Sequence, residues 1–146
     1  MMEVGEMIAV GEIAKVLGVG RKVHSLAELN EMVERGLPKA SLRHVISLAL
    51  EDRKQWFPAI YRLVPVATYK RRKETLSREE SERTERLARV VATAYHVWDN
   101  PGDTMHFLSR PHPTLGGKTP VEYSATELGA RQVEEMLWSV FYGLPA

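Results

Sequence analysis

Helix-start signals recur along this chain at intervals that divide it into a series of helices. Ser25 stands before the apolar series Leu26, Leu29, Met32 and Val33. Ser77 and Glu80 form a capping box, Asn100 and Thr119 each precede a proline (Pro101 and Pro120), and Thr126 opens the last series. A serine, threonine or asparagine oxygen at such a position accepts an otherwise orphaned backbone N–H. A proline in the first turn loses nothing by lacking one. Gly36 and Gly143 supply the matching stops, where a residue tolerant of positive φ ends the helix. The expected fold is all-α.

Met1 to Ser25 is a glycine-punctuated arm with one possible helix from Val10 to Leu17. A helix from Ser25 to Gly36 follows, and after Pro38 a second buries Leu42, Val45, Ile46, Ala49 and Leu50. A third carries Trp56, Ile60, Tyr61 and Leu63 toward Pro65. By geometry alone the first two form either an ordinary helical hairpin or a helix-turn-helix. In the second case Lys39, Ser41, Arg43 and His44 occupy the exposed start of a recognition helix, within reach of bases or phosphates. Val64 to Thr68, β-branched around a proline, is expected to be an extended connector. Lys70, Arg71, Arg72 and Lys73 then form a cationic linker able to neutralise phosphates, or simply a solvated surface.

The longest helix runs from Ser77 to about Asp99, with Leu87, Val90, Val91, Ala94, Tyr95 and Trp98 as the stripe expected to meet the last helix. A shorter one carries Met105, Phe107 and Leu108 and closes before Pro111. In the last helix Leu128, Val133, Met136, Leu137, Val140 and Phe141 recur at helical spacing, with Glu127, Arg131, Glu134 and Glu135 opposite. After Gly143 come Leu144, Pro145 and Ala146, an apolar tail that either projects or frays. The chain divides into a helix-turn-helix-like module with its arm and basic connector (1–76) and a C-terminal helical module (77–146).

Composition narrows the functions. With 146 residues, 44% of them apolar, the chain can bury a real core. A net charge of +1 means that any nucleic-acid binding depends on a local patch. The absence of cysteine removes disulfides and thiolate metal sites and fits a reducing cytosol. Met7 to Val10 is far too short to span a membrane. His24, His44, His96, His106 and His112 show no zinc-ligand spacing, so no metal or cofactor is expected. His106 and His112 near Asp99 and Asp103 lack a nucleophile or a second oriented carboxylate, so no enzyme is indicated. Gly116-Gly117-Lys118-Thr119 looks like a P-loop ending, but position 112 is His where the first glycine belongs.

The segment Gly116-Gly117-Lys118-Thr119-Pro120, then Glu127-Leu128-Gly129-Ala130-Arg131, Val133-Glu134 and Tyr142-Gly143-Leu144, resembles the toxin-binding domain of the Xre/MbcA/ParS antitoxins, partners of RES-domain toxins. Leu76 to Ser81, Arg83, Arg86 to Val90 and Leu108 to Pro113 extend the resemblance over about half the chain. Gly36-Leu37-Pro38 and Lys70 to Lys73 match the family's helix-turn-helix-like part more loosely. Pro145 departs from the family's glycine-plus-aliphatic ending.

The resemblance implies a protein that performs no chemistry and inhibits a toxin acting on NAD, by degrading it or by transferring ADP-ribose. On this basis Leu115, Gly116, Gly117, Lys118, Thr119, Pro120 and Arg131 are expected to contact the toxin. Tyr142, Gly143, Leu144, Pro145 and Ala146 are expected to plug its NAD cleft, with the Ala146 carboxylate on a toxin cation. The other expected partner is operator DNA, bound by a homodimer within the toxin complex. The alternative is a stand-alone helix-turn-helix regulator whose C-terminal helices serve dimerisation.

Overall fold

The structure, a computed structural model, describes residues 7–144. Nine α-helices run in chain order among them: α1 (Val10–Val16), α2 (Leu26–Arg35), α3 (Lys39–Ala49), α4 (Trp56–Leu63), α5 (Val66–Arg71), α6 (Arg78–Trp98), α7 (Pro101–Ser109), α8 (Pro120–Tyr123) and α9 (Glu127–Phe141). Two 3-10 turns, Arg53–Gln55 and Pro113–Leu115, lie between them. The only β pairing among the described residues is an isolated antiparallel bridge between Pro38 and Thr75. The architecture is all-helical, as the caps imply. Ser25, Ser77, Asn100, Thr119 and Thr126 each accept the expected backbone N–H. None of the described helices is long and apolar enough to cross a membrane.

The spine is α6. Its start is fixed from both directions: Glu80 N–H donates to Ser77 Oγ at 3.2 Å, and Ser77 N–H donates to Glu80 Oε1 at 2.8 Å. One side packs on α1, α2, α3 and α4, and another on α7 and α9. A single stripe cannot serve two sets of neighbours. Ala88 and Ala92 are therefore buried together with Leu87, Val90, Val91 and Ala94, and Thr84 and Thr93 turn their hydroxyls back onto the carbonyls of Glu80 and Arg89. The stripe expected from periodicity is too narrow, because small residues widen it. Each fully buried Leu or Val on this helix contributes about 1.5–3 kcal/mol of transfer free energy.

The link between α2 and α3 is built against the start of α6. Leu37 N–H donates to Ser81 Oγ at 2.8 Å, Leu76 N–H to the Leu37 carbonyl at 2.9 Å, and Lys39 N–H to the Glu74 carbonyl at 2.8 Å. Both helices pack on α6 more than on each other, so the pair is a three-part assembly and not a free hairpin. Gly36 makes this possible. Its φ is +106°, and a Cβ there would overlap the Leu76 carbonyl oxygen.

Another correction concerns residues 64–73. Pro65 is extended (ψ 146°), but it serves as the N-cap of α5, so most of the expected connector and its first cations are helical. An N-terminal proline sets φ for the turn that follows it.

Gly36→Ala should cost about 2–4 kcal/mol in urea unfolding, combining backbone strain with overlap. A loss below about 0.5 kcal/mol would mean that the turn relaxes freely.

Candidate functional site

Two surfaces gather the residues singled out by sequence. The first is the outer end of α9. Its inner face, Gly129, Ala130, Val133, Leu137 and Trp138, is buried against the core. An ionic clamp adds direction: Arg89 Nε meets Glu134 Oε1 at 2.8 Å, Arg89 Nη2 meets Glu127 Oε1 at 2.9 Å, and Arg86 Nε meets Glu127 Oε2 at 3.2 Å. Arg86 Nη1 also donates to the Ala125 carbonyl at 3.0 Å, just ahead of the helix.

Glu134, expected on the solvated face, is thus an interior partner of α6. Burial raises its carboxyl above the usual range even though Arg89 pulls it down. Glu85 is raised in the same way by burial, which outweighs Arg89 at 4.0 Å, and by the nearby Glu127 and Glu134 carboxylates. The Arg89 guanidinium also loses solvation, but its carboxylate partners outweigh that and keep it firmly charged.

Beyond the clamp, α9 ends in apolar side chains that the core does not cover. Val140 is 42% exposed, Phe141 46%, Tyr142 48% and Leu144 41%. Phe141 packs on His96 (5.1 Å between ring centroids), edge-on to Trp138 (5.6 Å) and against Tyr142 (5.1 Å), so the patch is held in place from beneath. Gly143 has a φ of +68°, and the Leu144 N–H returns to the Ser139 carbonyl at 2.7 Å. The backbone up to Leu144 is therefore part of the helix cap. Pro145 and Ala146 lie outside the described residues.

The loop between α7 and α8 is compact. Gly117 N–H donates to the His112 carbonyl (3.0 Å) and His112 N–H to the Lys118 carbonyl (3.1 Å), while Gly116 and Gly117 take φ of +65° and +81°. Leu115 and Pro120 are buried, and Thr119 is half-buried as the cap of α8. Gly116, Gly117 and Lys118 are exposed. The loop touches the middle of α9: Gln132 Nε2 donates to the Thr114 carbonyl (3.3 Å), and Thr114 Oγ1 faces Met136 Sδ (4.0 Å). It therefore lies one turn before Val140. Arg131 is exposed and lines a separate groove.

The second surface surrounds the start of α3. Lys39, Arg43, His44 and Lys73 line a cleft of about 840 Å³, joined by Arg53, Trp56 and Tyr69. Arg43 lies over the Trp56 ring (5.8 Å to the centroid), Arg53 over the same ring (4.9 Å), and Lys39 over Tyr69 (4.4 Å). Trp56 is anchored by its indole N–H on the Leu50 carbonyl at 2.7 Å. The cations are thus held in order by aromatic faces. Arg53 and Tyr69 were not singled out by sequence, and Trp56 was read only as a position of the third helix, although the interleaving of Arg53-Lys54-Gln55-Trp56-Phe57 carried the signal.

Two expectations are corrected. Ser41 is not exposed: at 3% exposure its hydroxyl donates to the Leu17 carbonyl at 2.7 Å, tying α3 to α1. Arg72 is not part of a free cationic run. It grips Glu80 through two bonds of 3.0 and 3.1 Å, while Lys70 and Arg71 remain exposed. Burial pushes the Glu80 carboxyl up, but Arg72 and Ser77 outweigh it and leave it below the usual range. Among the described residues no group of His, Asp or Glu is placed to hold a metal ion.

Comparison with known proteins matches two parts of the chain. Residues 28–89 match the antitoxin Xre-like helix-turn-helix domain, and residues 93–143 match the antitoxin Xre/MbcA/ParS C-terminal toxin-binding domain. A helix-turn-helix unit joined to a toxin-binding unit defines the class of antitoxin-type proteins. This chain belongs to the Xre/MbcA/ParS antitoxin family. It is 36% identical over 84 residues to Antitoxin Xre of Pseudomonas putida, a match covering 56% of this chain and 53% of that protein.

The clamp yields a prediction about pH. Because the folded Glu85 carboxyl is raised, the stability it contributes is fully present below its ordinary value of 4.5 and is lost as pH rises through the raised value. Glu85→Gln should therefore be at least as stable as the parent at neutral pH and vary less across that window in thermal melts, since Arg89 keeps Glu127 and Glu134. A loss above about 2 kcal/mol would show Glu85 to be an essential ionic partner.

Proposed function

We propose that this chain is the antitoxin of a type II toxin–antitoxin pair, that it neutralises a RES-domain toxin by direct occlusion, and that it performs no chemistry itself. The observation that carries this reading is the uncovered apolar end of α9, Val140 to Leu144, set on a clamped and buried helix inside the matched toxin-binding region. Four neighbouring apolar groups left in water at a rigid helix end are a costly surface unless a partner covers them. The choice of a RES toxin, acting on NAD by degradation or ADP-ribose transfer, rests on the family resemblance. A cleft shaped for nicotinamide and adenine has flat apolar walls, which suit the exposed faces of Tyr142 and Leu144.

In this reading residues 142–146 enter the toxin's NAD cleft, Gly116 to Lys118 meet its rim, and Arg131 makes a flanking polar contact. Leu115, Thr119 and Pro120 act indirectly by holding the loop's shape. Residues 1–76 serve the operator and residues 77–146 the toxin. The cleft at α3, with Lys39, Arg43, His44 and Lys73, binds operator DNA as a homodimer and represses the operon, while Lys70 and Arg71 add phosphate contacts. One observation also suits a stand-alone regulator: the same α9 patch is apolar and uncovered, as a contact between two copies would be.

A pair of substitutions separates the readings. Val140→Asp should keep the melting temperature and operator binding but weaken toxin binding by about tenfold or more. Arg43→Ala should keep toxin inhibition while lowering the salt slope of operator binding by about one. If instead the parent chain does not inhibit the toxin and Val140→Asp yields a monomer that loses DNA, the stand-alone regulator is the correct account.

A further inference from the structure

A groove of about 880 Å³ runs between α1 and α2 on one side and α6 and α9 on the other, apart from the cationic cleft at α3. Ile13, Leu29 and Val33, all buried, form its apolar base, while Met7 (66% exposed) and Leu26 (64% exposed) stand at its lip. Its polar lining is unbalanced: Glu34, Glu82, Glu85, Glu127, Glu134 and Glu135 face only Arg78, Arg89 and Arg131. Arg89 is committed to Glu134 and Glu127, and Arg78 to Glu82 at 3.3 Å, so the lining leaves an excess of negative charge over an apolar floor. The carboxyls of Glu85 and Glu134 are raised first by burial and to a lesser degree by neighbouring carboxylates.

The groove is also continuous with the α9 patch. Trp138 lines it and at the same time packs on Phe141 and Tyr142. Its indole N–H is buried without an acceptor among the described residues.

We propose that this groove receives a basic segment of the toxin, a short stretch carrying lysine or arginine beside one aliphatic anchor, so that the toxin is held both at the end of α9 and along its flank. The charge of the lining selects the cations and the floor takes the anchor. This inference rests on the toxin-docking reading above. It adds that a region outside the C-terminal patch sets affinity, through electrostatics.

The test uses the full chain and the RES-domain toxin proposed above as its partner. Glu34 and Glu135 are exposed, and Glu135 has no ion-pair partner among the described residues, so Glu34→Lys with Glu135→Lys should fold normally; Glu135→Gln alone is a milder companion. Toxin affinity is measured at low and high salt. The double variant should bind about tenfold more weakly at low salt and show a smaller salt dependence, with Glu135→Gln intermediate. Unchanged affinity and salt dependence in both variants would overturn the groove proposal while leaving the α9 reading intact. Failure of the unmodified chain to bind the toxin would instead overturn the proposed function, and this inference with it.

Discussion

The burial of α6 between two sets of helices is the constraint on which the rest of the structure depends. Its Ser77–Glu80 capping box fixes where it begins, and Ser81, one residue into the next turn, holds the α2–α3 link through the Leu37 N–H. Further along, Arg86 and Arg89 seize the first two turns of α9 through Glu127 and Glu134. One helix therefore carries the module that presents the cationic cleft and also orients the helix whose end is uncovered. Neither surface can tilt independently of it. The match to the helix-turn-helix domain ends at residue 89, well inside α6, and the match to the C-terminal toxin-binding domain begins at 93 on the same helix.

Charge is distributed to match this layout. The chain is nearly neutral, with 20 Lys and Arg against 19 Asp and Glu, yet the cations of α3 and the turn before α4 cluster on aromatic faces, while glutamates dominate the groove beside α9. Net charge alone therefore says little about partners here, because the separation of sign over the surface is what steers encounters. Pairing also decides which charges remain available. Arg72 is neutralised by buried Glu80, whereas Arg43 faces rings and solvent.

What was legible in the sequence was local. Each cap joins residues three positions apart: Ser25 to Glu28, Ser77 to Glu80, Asn100 to Asp103, Thr119 to Glu122 and Thr126 to Gly129 all form as their residue types imply. The core positions of α3 follow from its 3.6-residue period, and Leu42, Val45, Ile46, Ala49 and Leu50 are all buried. What stayed hidden depended on distant partners. Ser41 is buried because Leu17 offers a carbonyl 24 positions away, and Glu134 turns inward because Arg89, 45 positions away, supplies its counter-charge. Helical periodicity within one segment contains neither fact. The helical start of α5 was misread for a different reason, since a β-branched run around Pro65 has the local signature of an extended strand. For the candidate site, Gly116, Gly117 and Lys118 lie on the surface, whereas Leu115 and Pro120 are core residues that shape the loop.

The central claim is that the toxin is held by the outer end of α9, on a scaffold that α6 keeps fixed. Hydrogen–deuterium exchange of the full chain, alone and bound to the proposed RES-domain toxin, tests this most directly. The account predicts slowed exchange on complex formation at the backbone amides from Val140 to Leu144, with the amides at the centre of α6 already slow in the free chain. Unchanged exchange over 140–144 in a stable complex, with protection appearing at the α3 cleft instead, would contradict it.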